Sequence, residues 1–254
     1  MIGLLLAALP LVPTPAPLIS TPAPAPISER AVLQNGIDAA QARASALGGT
    51  LGVTIIDATT GASAMSNGDT NLPIGSVQNL VVAALTYRES ETPPQEVVSR
   101  ALLEDDEAAA RELIGLSGGA EALNTELRAL AFDAIFIAPR DGGYASSNAL
   151  ARFLTALAGG EFLPPAQTKG MLDMLARVQI GAGRLRAGLP PSVRLEHATA
   201  AANDGVADAG IAYINGHTMI VVAMLHNARG SDADRDVVIA AAAQAATAAA
   251  RAMP

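Results

Sequence analysis

The first amphipathic pattern of the chain predicts a helix followed by a hairpin. Apolar residues recur at helical spacing from Ser28 to about Leu47, and Gly48-Gly49 ends the pattern. The β-branched, partly alternating stretch from Thr50 to Asp57 predicts a strand. Thr59-Thr60-Gly61 then turns the chain into a weaker second strand that reaches about Ser66.

The middle of the chain, from about Val77 to Arg186, has helical periodicity punctuated by glycine and proline. Strand patterning is scarce there, so a block of helices is predicted. The clearest of them are Asp106 to Leu116, Glu121 to Ala131, Ser147 to Ala158 and Ala166 to Val178. Gly181-Ala182-Gly183 follows no predicted strand, which indicates a turn and not a dinucleotide-binding loop.

Strand patterning returns near the end of the chain. Asn215-Gly216 separates the apolar runs Gly210 to Ile214 and Thr218 to Leu225, and this dipeptide predicts a tight hairpin because both turn positions need positive φ. Ser231 is a typical N-cap for an alanine-rich helix from about Asp232 to Met253. The order of elements brings the two chain ends together on one antiparallel sheet, with a helical subdomain inserted between them.

The N-terminal segment predicts export. Met1 to Val12 is an apolar run of signal-peptide length, too short for a membrane span, and prolines recur from Pro10 to Pro26 as in an extended spacer. No Lys or Arg precedes the run, and Pro26 follows the small residues at Ala23 to Ala25, so a retained anchor and a wrongly assigned start codon stay open. We expect residues 1–27 to be a leader and linker, and the chain to be periplasmic or secreted.

Composition narrows the chemistry. A net charge of -8 argues against a surface that follows nucleic-acid phosphates. The absence of cysteine excludes disulfides, thiolate metal sites and a cysteine nucleophile. Lys169 is the one lysine of the chain, so a mechanism that needs two lysines is excluded.

Several stretches resemble class A serine β-lactamases and their penicillin-binding relatives, in the family's order. The family's Pro-x-x-Ser-x-x-Lys corresponds to Pro73 through Asn79, with Ser76 at the serine position. The helix that follows its Ser-Asp-Asn loop corresponds to Ala108 through Gly119, and its Lys-Thr-Gly strand to Ala198-Thr199-Ala200. The step Leu185 to Pro191 and Gly230-Ser231-Asp232 are also similar, so the resemblance spans roughly Ser28 to Arg251.

The resemblance implies an α/β (α+β) fold of the β-lactamase/transpeptidase type. It has an antiparallel five-stranded sheet flanked by N- and C-terminal helices, with an inserted all-helical subdomain. The expected domain covers residues 28–254, of which 28–70 and 188–254 form the α/β part and 71–187 the helical part.

The resemblance also implies a site around Ser76 in which most proton-handling groups are replaced. Asn79 stands where the family has a lysine, and Asp105-Asp106-Glu107 stand for Ser-Asp-Asn. Ala198 replaces the second lysine, while Thr199 is kept. The loop between Phe136 and Ser147 contains no glutamate to direct a deacylating water, only Asp141.

The remaining candidates lie along the last part of the chain. Ala201 matches the strand residue whose N–H completes the family's oxyanion hole. His197 would stand in for the missing substrate-binding lysine of the Lys-Thr-Gly strand only if the strand register shifted. The histidines His217 and His226 lack a His-Glu-x-x-His pattern, which favours surface or partly buried histidines over a metal site. No metal and no cofactor are predicted.

Two residue sets also have a purely structural interpretation. Ser76 is a typical helix N-cap as well as a candidate nucleophile. Glu104 to Glu107 fit a solvated first helical turn as well as an acid site.

Three functions remain open at this point. The first is an impaired or inactive homologue at the envelope that binds a β-lactam, a peptidoglycan peptide or a protein partner. The second is a working β-lactamase or esterase that uses Ser76 with Asp105, Glu107 or His197 as base. The third is a structural module of an envelope complex. Nucleic acid is not an expected partner, and the membrane is one only through the N-terminal segment.

Overall fold

The computed structural model describes residues 27–90, 92–140, 142–202 and 204–253. The predicted leader and linker, apart from residue 27, lie outside these residues, as does Asp141. No helix of the described part is both long enough and apolar enough to cross a membrane. The described helices are α1 (Ile27–Ala46), α2 (Gln78–Glu89), α3 (Gln95–Leu103), α4 (Glu107–Leu116), α5 (Gly119–Ala129), α6 (Ser147–Ala158), α7 (Pro165–Leu175), α8 (Leu185–Gly188) and α9 (Asp232–Ala252). The strands are β1 (Thr50–Asp57), β2 (Ser63–Ser66), β3 (Leu72–Gly75), β4 (Ile135–Phe136), β5 (Gly143–Ala145), β6 (Arg194–Ala202), β7 (Gly205–Ile214) and β8 (His217–His226).

The predicted α/β fold is confirmed. Five antiparallel strands form one sheet in the order β2-β1-β8-β7-β6, so the N-terminal hairpin and the C-terminal strands share it. The predicted Asn-Gly turn joins β7 to β8, with φ of 51° at Asn215 and 86° at Gly216. Positive φ at both positions is the geometry that this dipeptide adopts at low cost.

Two hydrophobic clusters lie on opposite faces of the sheet. One joins α1 and α9 to the sheet, and its alanine-rich composition allows close packing of the two helices. A Cβ placed on Gly36 would come within 2.3 Å of the Cβ of Ala245, so glycine is needed where α1 meets α9. The other cluster joins the helical part to the opposite face, where α6 and α7 contact the strands.

The helical block has the predicted content with shifted boundaries. The helix from Ser147 to Ala158 is confirmed, and the Ser146 hydroxyl caps it by accepting a hydrogen bond from Ala149 N. The helix predicted from Glu121 to Ala131 is α5, which begins at Gly119 and ends at Ala129 because Ala131 has a φ of 60°. The helix predicted from Ala166 is α7, which begins at Pro165, a residue favoured in a first helical turn.

A second, three-stranded sheet in the order β3-β5-β4 was not predicted. Its strands have two to four residues, too few for alternating polarity to show in the sequence. This small sheet places β3, and with it the segment that enters α2, beside the helical part.

The face of β6 that is turned toward α8 and α9 carries buried polar groups. His197 Nδ1 lies 2.9 Å from Asp208 Oδ1, and Asp208 Oδ2 accepts a hydrogen bond from Leu185 N of α8. The Thr199 hydroxyl donates to Ala207 O and accepts from Arg184, which also pairs with Asp236 of α9. These contacts connect the edge strand to the C-terminal helix.

The His197–Asp208 pair is expected to make stability depend on pH. Burial alone lowers the pKa of His197, but the charge and hydrogen bond of Asp208 outweigh it, so the net pKa is raised. A raised folded-state pKa means that the ion pair stabilises the fold fully below the unfolded value of about 6.5 and that its contribution is lost as pH rises through the folded value.

We predict that Asp208→Asn lowers the free energy of unfolding by about 1.5–3 kcal/mol near pH 6, the range for a hydrogen bond to a charged group. The difference from wild type should decrease at higher pH, because the imidazole is then neutral in both proteins. Urea unfolding across this range measures it. A difference that stays constant with pH would contradict the ion pair.

Candidate active site

Five of the seven sequence-predicted site residues line one cleft of about 400 Å³: Ser76, Asn79, Asp105, Glu107 and Ala201. The cleft lies where the end of β3 enters α2, between the start of α4 and the end of β6. Each wall comes from a different part of the chain, so only the folded structure assembles it.

Ser76 lies between β3 and α2 and is partly accessible. Its carbonyl accepts a hydrogen bond from Asn79 N at 2.9 Å, which begins the turn that continues into α2. The N-cap of α2 is Val77, and no side chain caps this helix. The hydroxyl of Ser76 is therefore not used as a cap, and within the described residues it has no hydrogen-bond partner.

Gly75 explains how this serine comes so close to the sheet. Its φ is 49°, and a Cβ at this position would lie 2.8 Å from the Cβ of Ala200 on β6. A Cβ on Gly142 would in turn lie 2.4 Å from Gly75 Cα. The serine segment thus fits between β6 and the loop after β4 only because two of its neighbours are glycines.

Asn79 is buried, and its amide Nδ2 donates a hydrogen bond to Ala101 O at 3.2 Å. It follows Ser76 by three residues, which places it one turn along α2. Its side chain therefore connects α2 to α3. A neutral amide has no useful proton affinity, so Asn79 is unable to act as a base toward Ser76.

The acidic triplet has two roles in the structure. Asp106 is the N-cap of α4: its carboxylate accepts from Ala108 N and Ala109 N, and it pairs with Arg100. The hydrogen bond from Arg100 lowers the pKa of Asp106. Asp105, with a φ of 52°, and Glu107 are exposed and line the cleft on either side of this cap.

Two arginines of the cleft were not singled out from the sequence. Arg111 lies one turn after Glu107 on α4, and its Nε donates to Glu107 O at 3.2 Å. Arg140 comes from the short loop between β4 and β5. The spacing between Glu107 and Arg111 is the one available signal, since residues four apart share a helix face. The two arginines balance the formal charge of Asp105 and Glu107.

The loop that carries Arg140 is held in place by two side-chain amides. Asn124 of α5 donates to Ile137 O and accepts from Ile137 N, while Gln78 accepts from Ala138 N. Among its described residues this loop supplies no carboxylate, since its one acidic residue is Asp141. The described residues of this loop that line the cleft are Pro139, Arg140 and Gly142, of which only Arg140 is charged.

The other two predicted site residues lie outside the cleft. His197 and Thr199 bond to groups on the α8 and α9 side of β6, as described above, and neither reaches Ser76. Strand alternation is the reason, because both residues point away from the face that carries Ala198 and Ala200. Lys169 is also remote: it pairs with Asp173 on the exposed face of α7. Within the described residues, no amine and no imidazole lines the cleft.

Comparison with known proteins gives a consistent family and fold. Residues 88–250 match the model of the β-lactamase enzyme family. Among proteins of curated function, none matches the sequence.

Solved structures share the fold at low identity. The structure of an ancestral class A β-lactamase is 23% identical, with a TM-score of 0.75 over 83% of this chain and 98% of that one. A β-lactamase from Chitinophaga pinensis is 19% identical, with a TM-score of 0.79 over 85% of this chain and 100% of that one. With the family match over more than half of its length, the chain belongs to the β-lactamase enzyme family.

Proposed function

We propose that this chain is a catalytically impaired β-lactamase homologue of the cell envelope. Its Ser76 cleft binds a β-lactam or a peptidoglycan-type peptide and does not turn it over at a useful rate. Binding of a protein partner through the Ser76 cleft would also be a non-catalytic function.

The observation that carries the proposal is the set of groups around Ser76. A serine hydroxyl is a weak nucleophile until a base takes its proton. Among the described residues of the cleft, Asn79 occupies the position at which the family has a lysine one turn after the serine. The basic side chains of the cleft are Arg111 and Arg140. Guanidinium groups stay protonated in proteins and are unable to accept that proton.

The size of the expected loss supports impairment. Loss of one general acid or base costs about 10² to 10⁴ in rate, which is roughly 3 to 5 kcal/mol of barrier. Several such groups are replaced here, at Asn79, Asp105 and Ala198. Even with the strong non-additivity of catalytic groups, most of the rate enhancement is lost.

Slow acylation of a strained ring remains compatible with this site. Backbone N–H groups at Ser76 and Ala201 would stabilise the developing oxyanion, and they do not depend on side-chain identity. An acyl-enzyme formed in this way would persist, because the short loop lacks the glutamate that the resemblance to class A β-lactamases implies for directing water.

We predict that the purified chain forms a slow, long-lived adduct with a labelled penicillin, and that Ser76→Ala abolishes it. Intact-mass measurement over hours detects the adduct, and a nitrocefin assay on the same samples measures turnover. Asp173→Asn, on the exposed face of α7, is the matched control and should leave the adduct unchanged. Rapid nitrocefin hydrolysis that disappears in Ser76→Ala would contradict an impaired site.

The second candidate function is a working serine hydrolase in which a carboxylate acts as base. Its support is that Asp105 and Glu107 line the same cleft as Ser76. This function requires turnover that falls by at least about 10²-fold in Asp105→Asn or Glu107→Gln. The same variants should have little effect on an impaired protein.

We predict that Asn79→Lys alone changes acylation by less than about tenfold, although it restores an amine one turn from Ser76. The proton donor to the leaving group and the cation for the substrate carboxylate stay absent, and one general base supplies only part of the enhancement. The combined variant Asn79→Lys/Asp105→Ser/Ala198→Lys should exceed the sum of the single effects. Rate of adduct formation is the readout, with Asn79→Gln as control and thermal unfolding to check the fold.

Export is the part of the proposal that depends on the N-terminal segment. We predict that the full chain, produced in a bacterial host, is recovered from the envelope fraction. A chain that lacks residues 2–27 should stay in the cytoplasm, because it loses the apolar run on which the proposed export depends. Equal distribution of the two forms would contradict an envelope location.

A further inference from the structure

Three side chains from distant parts of the sequence meet in the interior of the α/β part. Glu29 lies on α1, Asp57 at the end of β1 and His217 at the start of β8. Glu29 and Asp57 are fully buried, and His217 is 8% exposed. One possible ligand atom from each residue lies within 4.8 Å of the other two. We call these residues the Glu-Asp-His cluster.

The cluster is separate from the Ser76 cleft. His217 follows the Asn-Gly turn and pairs with Ile214, whereas Ala201 pairs with Val206 at the opposite end of the sheet. None of the three cluster residues lines the cleft. The proposed function makes no use of them.

Three of the four carboxylate oxygens of the cluster have hydrogen-bond partners, and one does not. Asp57 Oδ1 accepts from Thr59 N at 2.8 Å, and Oδ2 lies 2.6 Å from His217 Nδ1. Glu29 Oε2 accepts from the Thr60 hydroxyl at 3.0 Å, while Oε1 is buried without a hydrogen-bond partner. Each carboxylate is thus oriented by the turn after β1 through one oxygen. Hydrogen-bonded outer partners of this kind orient the carboxylate ligands of metal ions.

The charge of the cluster also requires compensation. Glu29 and Asp57 place two carboxylates in the interior, and within the described residues His217 is the one basic side chain that pairs with either of them. Buried like charges are costly unless a proton or a cation neutralises them. Burial and the neighbouring carboxylate of Asp57 raise the pKa of Glu29.

We propose that Glu29, Asp57 and His217 bind one divalent transition-metal ion of the zinc class. One imidazole nitrogen and two carboxylate oxygens are ligands that Zn²⁺ accepts, and water supplies the fourth position. An imidazole ligand and only three protein donors disfavour Ca²⁺ and Mg²⁺, which prefer oxygen shells. Metal binding replaces the His217–Asp57 hydrogen bond with two coordinate bonds, so the proton of that hydrogen bond must leave His217 Nδ1 and Asp57 Oδ2.

The site would connect α1, β1 and β8 at one point. The bound ion therefore stabilises the fold and is not positioned to act on a ligand in the Ser76 cleft. The sequence gives no comparable signal, because Asp57 and His217 are 160 residues apart.

The test uses the full chain, free of affinity tags and dialysed against a chelator. Titration with Zn²⁺ by calorimetry should give one ion per chain, and the unfolding temperature should rise with free Zn²⁺ because only the folded state binds. Co²⁺ should give the visible bands of a low-coordinate site. Affinity should fall at acidic pH, where protons compete for the ligands.

Variants assign the binding to the cluster. Glu29→Gln and His217→Asn should lose binding, and Thr60→Val, which removes an outer hydrogen bond, should weaken it about 10- to 100-fold. His226→Asn is the matched control, because His226 ends the strand that His217 begins. Thr60→Val keeps the test decisive if a ligand variant fails to fold.

The proposal is wrong if the wild-type chain binds no Zn²⁺ and its unfolding temperature does not respond to the ion. It is also wrong if Glu29→Gln or His217→Asn binds as tightly as wild type, or if only His226→Asn loses binding.

Discussion

The antiparallel pairing of β1 with β8 is the interaction on which the rest of the structure depends. Thr50 lies opposite His226 and Asp57 opposite Met219, so the two strands pair along the whole of β1. Because they come from opposite ends of the domain, their pairing closes one sheet around the inserted helical part. It also brings α1 against α9, where Gly36 permits contact with Ala245. Ser76 lies between β3 of the small sheet and α2, on the segment that leads from the N-terminal hairpin into the helical part.

This closure determines where the cleft lies, but side chains determine what the cleft can do. The scaffold presents the hydroxyl of Ser76 between β3 and α2. Around it stand two amides, two carboxylates and two guanidinium groups. The available proton acceptors are therefore the two carboxylates, and the two arginines balance their formal charge.

All three histidines of the chain lie beside aspartates and away from Ser76. His197 contacts Asp208 and His217 contacts Asp57 in the interior, while His226 lies 3.7 Å from Asp204 near the surface. An imidazole held by a buried carboxylate is fixed in place and in orientation. In this chain the histidine–aspartate pairs connect strands of the sheet to one another and to the helices. None of the three histidines lines the described cleft.

The sequence alone determined the order of elements, the two hairpins and the serine-bearing segment, because these depend on local periodicity and on turn chemistry at Asn215-Gly216 and Thr59-Thr60-Gly61. It also indicated that Asn79, Asp105 and Glu107 belong near Ser76, through a resemblance in their order along the chain. It missed the small sheet, whose strands are too short to show a period, and it left Arg111 and Arg140 unmarked.

Only the tertiary structure decided which residues meet. His197 was a candidate for the cleft, and the register of β6 turns it to the other face. In the sequence, His217 and His226 were considered together for a metal-binding pattern. The fold instead places His217 beside Glu29 and Asp57. The physical reason is that burial, hydrogen-bond partners and electrostatic interactions depend on distances across the sheet. Those distances are set by pairing between strands that lie far apart in the sequence, and no local pattern encodes them.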